Sequence, residues 1–474
     1  MIRRWLTLSW PLNLCWPLPR GNGGALPPPA SARERWGGLG WGVVRLFAVG
    51  AERTTPHPRP LPTAPRAGGG EHPRRWLRAA LGVLLAVGFA SAASAQTPPP
   101  AQPKVTVGYV DIEGDPRHEP IRAYERLVLK AREHPFVGAQ VGIEEAQALT
   151  RVLKIDFALE RIRVKSADAV APAVLQARQE RDIHFFVIDA PAEVFRPLAE
   201  AVRGRDVLLF NATAAEDTLR REVCAREVVH TLPSLAMSMD ALVQYLVSRK
   251  WRDILVLHGP LPADAAMTKA FEASVKKFGN RIVAKKEFTT GTDPREREKN
   301  NPLLLTAINR DYDVVFVADD AFDFVRGVPF QTVRARPVIG SIELEPVAWH
   351  WTWERNGGPQ INTRFARAAN GRRMEGPDWA AWIAVKMVAQ ATLRTRSAEF
   401  DKQRAFILGD NSFDGYKGLA VSVRKWDQQL RQAVFLAAPY SVVASAPVEG
   451  FLHRSNTLDT LGDDEPETPC KLNR

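Results

Sequence analysis

The chain has 474 residues and a formal net charge of +11 at pH 7. Residues 1–95 hold 12 arginines, no lysine and three glutamates, so that residues 96–474 carry a net charge of only +2. This near balance argues against a nucleic-acid partner, and the length of the second part is enough for two hydrophobic cores.

Residues 74–95 have the three parts of a secretory signal peptide. Arg74, Arg75 and Arg78 precede an apolar run at residues 79–89, and small residues follow at positions 93–95. The run is shorter than the roughly 20 apolar residues of a membrane span. We therefore expect cleavage near Ala95, export of the rest of the chain and no stable membrane insertion. Residues 1–73 are interpreted as disordered or as a mis-called start of the gene.

After a Pro-rich spacer at residues 96–103, short apolar runs alternate with helical patterns. The sequence predicts strands at residues 105–110, 161–165, 185–188 and 207–210, with helices at 120–134, 144–153, 169–181 and 194–202. Continuous apolar strands separated by amphipathic helices indicate a parallel sheet that is covered on both faces.

The same alternation begins again further along the chain. It predicts helices at residues 237–249, 265–278, 302–309 and 379–393, strands at 253–257, 282–288, 314–318 and 337–341, and a closing hairpin from 415–423 and 432–436. We therefore predict an α/β fold of two doubly wound parallel-sheet lobes joined by a hinge. The predicted bounds are 104–231 plus 349–411 for the N-terminal lobe, 232–348 plus 412–440 for the C-terminal lobe, and 441–474 for a tail. In such folds ligands bind at the carboxyl ends of the strands.

Acidic side chains follow four of the predicted strands. These candidate ligand-binding residues are Asp111, Asp189, Asp319, Asp320 and Glu343. Carboxylates at strand ends can converge on a cation, or on a ligand that bears an amine or hydroxyl group. The alternative is that they cap the helices that follow the strands. The identity of any metal stays open.

Two further groups of residues are candidates for the same site. Asn211 and Thr213 follow the strand 207–210, although Thr213 with Glu216 also matches a helix-capping box. Tryptophans at positions 349, 351 and 353 alternate as on one face of a strand, where Trp351 can stack on a ligand or pack between the lobes. The chain contains no hydrolase elbow, P-loop, dinucleotide fingerprint or zinc-protease motif, so we expect neither enzymatic activity nor a cofactor.

Cys224 and Cys470 are the cysteines outside the leader. In an oxidising compartment they can form one disulfide, or they can remain two unpaired thiols. Neither has a second cysteine or a histidine at the spacing of a metal site.

Several segments, taken in order over residues 105–436, resemble the type I periplasmic substrate-binding proteins of ABC transporters, in the branched-chain amino acid class. They are HTLPS at 230–234, then residues 240–246, 251–257, 271–288 and 413–423. More narrowly, Cys224, HTLPS, DWAAW at 378–382 and EGFLH at 449–453 resemble the branch associated with PQQ-dependent alcohol dehydrogenase systems, some of which have been linked to lanthanide uptake.

The resemblance implies a monomeric periplasmic protein that closes its two lobes on a small ligand and delivers it to an inner-membrane ABC permease. The implied ligand is a small organic molecule linked to PQQ-dependent alcohol oxidation, or alternatively a lanthanide or its chelate. A third reading is a ligand sensor that signals to a partner protein. A bound amino acid is not expected, because the loop at 189–193 lacks serine and Thr213 is the one hydroxyl in the loop at 211–217.

Overall fold

The computed structural model describes residues 102–123, 127–289 and 294–472. The predicted signal peptide and the segment before it lie outside the described residues. Within the described part, no helix combines the length and the apolar character needed to cross a bilayer.

The first lobe is built on a parallel sheet with the strand order β4-β1-β5-β6-β7. Its strands, with the small hairpin β2–β3, are β1 (Lys104–Ile112), β2 (Ile121–Ala123), β3 (Leu127–Lys130), β4 (Asp156–Val164), β5 (Phe185–Asp189), β6 (Leu208–Asn211) and β7 (Val228–His230). The helices along this part of the chain are α1 (Phe136–Gln147), α2 (Thr150–Leu153), α3 (Val170–Arg181) and α4 (Ala192–Val202).

The second lobe has its own parallel sheet, with the strand order β11-β10-β8-β9. Its strands are β8 (Asp253–His258), β9 (Arg281–Glu287), β10 (Val314–Ala318) and β11 (Val338–Gly340), and its helices are α5 (Leu235–Arg249), α6 (Pro262–Lys277), α7 (Arg297–Asn300) and α8 (Pro302–Thr306). The predicted α/β fold with two parallel sheets is confirmed; the exact lobe bounds stay a prediction.

Both sheets bury both of their faces. In β5 every residue is buried, and neighbouring side chains enter different cores: Phe185 and Val187 face one cluster, whereas Phe186 and Ile188 face another. In the second lobe β10 is buried in the same way. This is why β10, and β5 up to Ile188, are continuously apolar rather than alternating.

The chain then returns to the first lobe and crosses back. After β12 (Glu345–Val347) come the helices α9 (Gly358–Ala368), α10 (Gly376–Thr395) and α11 (Phe400–Leu408), followed by β13 (Ser422–Val423), β14 (Leu430–Arg431), β15 (Val434–Ala438) and β16 (Ser441–Ala446). β12, β15 and β16 form a separate antiparallel sheet. The prediction of one closing hairpin is therefore wrong: β13 pairs with β14, and β15 pairs with β16, which begins in the predicted tail.

Helix α10 packs closely against α1 in the core of the first lobe. A Cβ atom added to Gly138 would lie 2.1 Å from the backbone oxygen of Asp378, and one added to Gly142 would lie 2.9 Å from the Cβ of Val385. Helix α1 thus presents two glycines where the backbones approach.

The helix predicted at residues 120–134 is wrong. β2 and β3 form an antiparallel hairpin there, and Leu127 and Val128 are exposed, so the apolar residues do not form a buried helical face. His118 and His134, before and after the hairpin, both contact Asp189. Because this shared contact brings the two ends of the segment together, the chain between them folds back on itself.

Candidate ligand-binding site

A cavity of about 700 Å³ lies between the lobes, at the carboxyl ends of their strands. The first lobe lines it with the hairpin β2–β3 and the loop after β6. The second lobe contributes the loops after β10 and β11 and the start of α6. The crossing segments near residues 232–235 and 345–351 line it as well. A molecule in this cavity would therefore contact both lobes and the segments between them.

Two buried carboxylates form the second-lobe wall. Asp319 follows β10; its Oδ2 accepts a hydrogen bond from the Val325 N–H at 2.9 Å, and its buried Oδ1 has no partner among the described residues. Asp264, in the first turn of α6, accepts hydrogen bonds from the backbone N–H groups of Asp320 and Leu261. Burial raises the pKa of both carboxyls, and Asp264 raises that of Asp319 further. This wall favours a ligand that donates hydrogen bonds or carries positive charge.

Two more carboxylates line the cavity near the crossing segments. Burial raises the pKa of both Glu345 and Glu375. The Lys130 ammonium of the hairpin opposes this, with its Nζ 3.6 Å from Glu345 and 5.4 Å from the centre of the Phe322 ring. The first lobe therefore supplies positive charge to a largely acidic cavity.

Aromatic side chains complete the wall. Trp351 is half-buried and lines the cavity, and the guanidinium of Arg373 lies 3.5 Å from its ring centre. His350, which also lines the cavity, has a pKa lowered by burial and then by Arg373. One face of Trp351 is thus already covered by a cation.

The prediction that the three tryptophans share one strand face is wrong. β12 ends at Val347, and the chain turns after it. In this turn the backbone N–H of Trp353 donates a hydrogen bond to the backbone oxygen of His350. Trp349 is buried in the first-lobe core, and its Nε1–H donates a hydrogen bond to Asn362 Oδ1. It does not lie on a strand with the other two tryptophans.

A second polar cluster lies at the carboxyl ends of β1 and β5 in the first lobe. Asp111 is fully buried and accepts hydrogen bonds from Arg161 at 2.6 and 3.2 Å, with Arg163 at 3.4 Å. Its charge is therefore neutralised inside the lobe, and it does not line the interlobe cavity.

Asp189 is the centre of the same cluster. It is fully buried and accepts a hydrogen bond from the Tyr109 hydroxyl at 2.9 Å and one from Arg117 at 3.3 Å. His118 Nε2 lies 2.8 Å from its Oδ1, and His134 Nδ1 lies 2.7 Å from its Oδ2. Burial by itself raises the pKa of this carboxyl, but the two histidines and Arg117 outweigh it and lower the pKa well below its usual range.

Comparison with known proteins identifies the fold to which these two lobes and their cavity belong. Residues 161–329 match the family model described as periplasmic binding protein. Among solved structures, a branched-chain amino acid ABC transporter periplasmic ligand-binding protein from Burkholderia xenovorans LB400 covers 78% of this chain and 100% of its own, with 12% identity and a TM-score of 0.58. The chain has the fold of type I periplasmic binding proteins.

Two further structures share this binding-protein fold. The branched-chain amino acid substrate-binding protein LivJ from Streptococcus pneumoniae, in complex with isoleucine, aligns over 72% of this chain and 98% of its own, at 14% identity and a TM-score of 0.53. An ABC transporter solute-binding protein from Rhodopseudomonas palustris HaA2, in complex with p-hydroxybenzoic acid, aligns over 70% and 92%, at 12% identity and a TM-score of 0.51. Among curated proteins none matches this sequence significantly.

The structure brings only part of the predicted site to the cavity. Asp319, Asp320 and Trp351 line it, whereas Asp111, Asp189 and Glu343 do not. The five carboxylates do not all line this cavity, because Asp111 is bound by Arg161 and Asp189 by Arg117 and two histidines of the first lobe. The role of these residues in ligand binding stays a prediction.

Asn211 and Thr213 also have partners inside the first lobe. Asn211 donates to the Ala214 oxygen at 2.8 Å and to His230 Nδ1 at 3.0 Å, so it holds the loop after β6. Thr213 Oγ1 accepts a hydrogen bond from Arg117 at 3.2 Å. The predicted capping box is not formed, because the next helical turn begins after Thr218.

Cys224 and Cys470 form a disulfide, with Cα atoms 5.6 Å apart. The sequence alone left this pairing open. The bond ties the end of the chain to the first lobe, 246 residues earlier.

Sequence reasoning missed three residues that the structure places at these sites. His118 and His134 lay inside or beside the predicted helix, so nothing indicated that they meet at Asp189. Asp264 lies in the first turn of α6, where an acidic residue most often stabilises the N-terminus of the helix. The start of a helix that follows a parallel strand also lies at the edge of the sheet where ligands bind. The position of Asp264 in the sequence therefore could have indicated a role in the cavity.

Proposed function

We propose that this protein is a periplasmic solute-binding component of an ABC transporter and not an enzyme. It would capture a small ligand by closing two lobes and present the closed form to an inner-membrane permease. The observation that carries the proposal is the cavity of about 700 Å³ that both lobes line at their strand ends. A ligand there stabilises the closed form because it contacts both lobes at once.

For the ligand, we propose a small organic molecule linked to PQQ-dependent alcohol oxidation. The sequence resemblance supports that branch, and the cavity supports an organic ligand because Trp351, Met239 and Met267 line it beside the carboxylates. Pockets of this mixed character and size suit small molecules.

A lanthanide is the alternative ligand. It would require several carboxylate oxygens around one point. Of the five predicted acidic residues, Asp319 and Asp320 line the cavity. Calorimetry with La³⁺ tests this alternative. Binding heat in the wild type that is lost in Asp319→Ala supports a lanthanide ligand in the cavity, and the absence of binding heat in the wild type contradicts it.

Native mass spectrometry of protein purified from its own periplasm tests the capture of a ligand. The matched variants are Ser238→Trp, which fills the cavity from α5, and Ser248→Trp, at an exposed position of the same helix. We expect a bound mass in the wild type and in Ser248→Trp, and none in Ser238→Trp. Equal occupancy in all three proteins would place the ligand outside the cavity.

The permease partner distinguishes transport from signalling. With the permease and ATPase of a candidate ABC transporter reconstituted in vesicles, the ligand-loaded protein should stimulate ATP hydrolysis and ligand uptake. Stimulation of neither, together with ligand-dependent binding to another periplasmic protein, would favour the sensor. Conversion of the bound ligand by the purified protein would contradict both readings.

A further inference from the structure

We propose that His118, His134 and Asp189 form a binding site for a divalent transition metal such as Zn²⁺. The site lies in the first lobe, does not line the interlobe cavity, and is separate from the site proposed for the transported ligand. In the described part of the chain, these three residues are the group of His, Cys, Asp and Glu side chains whose ligand atoms all lie within 4.8 Å of one another.

The donor set selects the class of metal. Two imidazole nitrogens and one carboxylate oxygen suit Zn²⁺, Ni²⁺, Cu²⁺ or Fe²⁺, whereas Ca²⁺ and the lanthanides prefer sets made of oxygen alone. The two imidazole rings lie next to each other, with centroids 3.9 Å apart, and each contacts one oxygen of the Asp189 carboxylate. Because the ligand atoms of all three residues lie within 4.8 Å of one another, a single ion is expected to bind both imidazole nitrogens and the carboxylate.

The surroundings of Asp189 are those of a supported metal ligand. Its carboxylate is fully buried, and the Tyr109 hydroxyl donates to Oδ2 at 2.9 Å. Ligating carboxylates are commonly held by such outer hydrogen bonds. Asp111 Oδ2 also lies 3.7 Å from His134 Nδ1, but Arg161 binds this carboxylate at 2.6 and 3.2 Å, so Asp111 does not hold the imidazole with a free charge.

Arg117 also contacts Asp189, so its positive charge would lie beside a bound metal ion. Its Nη2 lies 3.3 Å from Asp189 Oδ1, but its main partner is Asp115, which it contacts through Nε at 3.0 and 3.2 Å and through Nη2 at 2.5 Å. Arg117 can therefore stay on Asp115 when a metal takes the Asp189 oxygen. The imidazoles bind as neutral rings through His118 Nε2 and His134 Nδ1, with their protons on the nitrogens that face away from Asp189.

The position of the two histidines gives the site a structural consequence. His118 precedes the hairpin β2–β3 and His134 follows it, so the metal would bind both ends of the hairpin to the end of β5. A two-stranded hairpin is marginally stable by itself in water, and this one exposes Leu127 and Val128. The same hairpin carries Lys130 to the cavity wall. Metal binding would thus hold in place the hairpin β2–β3, which carries Lys130 to the cavity wall.

Calorimetry with Zn²⁺ tests the site on EDTA-treated protein purified without a polyhistidine tag. We expect one equivalent to bind, and the affinity to fall by at least about tenfold in His118→Asn and in His134→Asn. His453→Asn is the matched control, because His453 also contacts a carboxylate, that of Asp464 at 3.1 Å. It should bind as the wild type does. Unchanged affinity in both test variants, or an equal loss in the control, overturns the proposal.

X-ray absorption of the Zn²⁺-loaded wild type keeps the test independent of whether the variants fold. We expect imidazole nitrogens at about 2.0–2.1 Å in the first shell. A shell without imidazole, or no retained zinc, overturns the proposal. So does binding of La³⁺ but not Zn²⁺ that depends on these histidines, because the site would then prefer a hard cation. Neither result bears on ligand capture in the interlobe cavity.

Discussion

The Arg132 guanidinium in the first lobe donates hydrogen bonds to the backbone oxygen of Asp320 in the second lobe at 3.0 Å and to its Oδ1 at 3.2 Å. Both residues line the cavity. The pair therefore closes a contact between the lobes across the candidate site, and it belongs to the arrangement in which the lobes approach each other. Both side chains are partly exposed, so water and salt weaken the pair.

Replacing Arg132 by alanine should shift the protein towards an open form. An exposed pair contributes up to about 1 kcal/mol, so we expect the affinity for the co-purified ligand to fall by no more than about fivefold. Small-angle X-ray scattering should give a larger radius of gyration for the ligand-free variant. Arg326→Ala is the control, because Arg326 pairs with Asp323 inside the second lobe. The same scattering curve and affinity in both variants would contradict an interlobe role for Arg132.

Removal of the Cys224–Cys470 disulfide should lower the stability. The bond closes a loop of 246 residues, and native disulfides typically contribute about 2–5 kcal/mol by restricting the unfolded chain. The thermal midpoint of the wild type should fall on addition of dithiothreitol to that of the double variant Cys224→Ser, Cys470→Ser. The double variant should not respond to the reductant. An unchanged midpoint in reduced wild type would show that the bond does not stabilise the fold.

The buried strands of both sheets could be predicted because their sequences carry the signal by themselves. β10 is apolar at every position, and β5 is apolar at every position before its last residue, Asp189, which is sufficient to indicate strands covered on two faces. Their alternation with helices then gives the parallel topology. The family fold follows from that order without knowledge of any side-chain contact.

The candidate site could be predicted only in part because the sequence gives the strand end but not the direction of the side chain. Asp319 and Asp189 both follow apolar strands, yet Asp319 lines the cavity while Asp189 binds Tyr109 and two histidines within its own lobe. The two histidines that bind Asp189 flank a hairpin that has no periodic signal of its own. Its conformation depends on the contacts at Asp189, which only the folded chain contains.

Gly138→Ala should destabilise the protein, against the usual effect of this change in a helix. Alanine inside a helix normally stabilises by about 0.5–1 kcal/mol relative to glycine. Here the new Cβ would lie 2.1 Å from the Asp378 oxygen, so α1 and α10 must move apart. We expect a loss of about 1–3 kcal/mol, measured by urea unfolding.

Gly327→Ala provides the matched control for this packing argument. Its added Cβ would approach no closer than 3.3 Å, to the flexible end of the Gln331 side chain. We expect its unfolding curve to stay close to that of the wild type. A stabilised Gly138→Ala protein would show that α1 and α10 lie further apart than described.

His230→Gln should weaken the acid sensitivity of the fold. Burial, and then the charge of Arg220, lower the pKa of His230 well below its ordinary value, and its Nδ1 accepts a hydrogen bond from Asn211 at 3.0 Å. Below about pH 6.5 the unfolded chain binds a proton there that the folded chain does not. Stability is therefore lost as the pH falls below that value, by at most about 1.4 kcal/mol per pH unit for this one group. Urea unfolding at a series of pH values from 7 to 5 should give a shallower loss in the variant than in the wild type. Parallel curves for the two proteins would mean that His230 takes up its proton in the folded state as well, which the hydrogen bond from Asn211 and the neighbouring Arg220 both oppose.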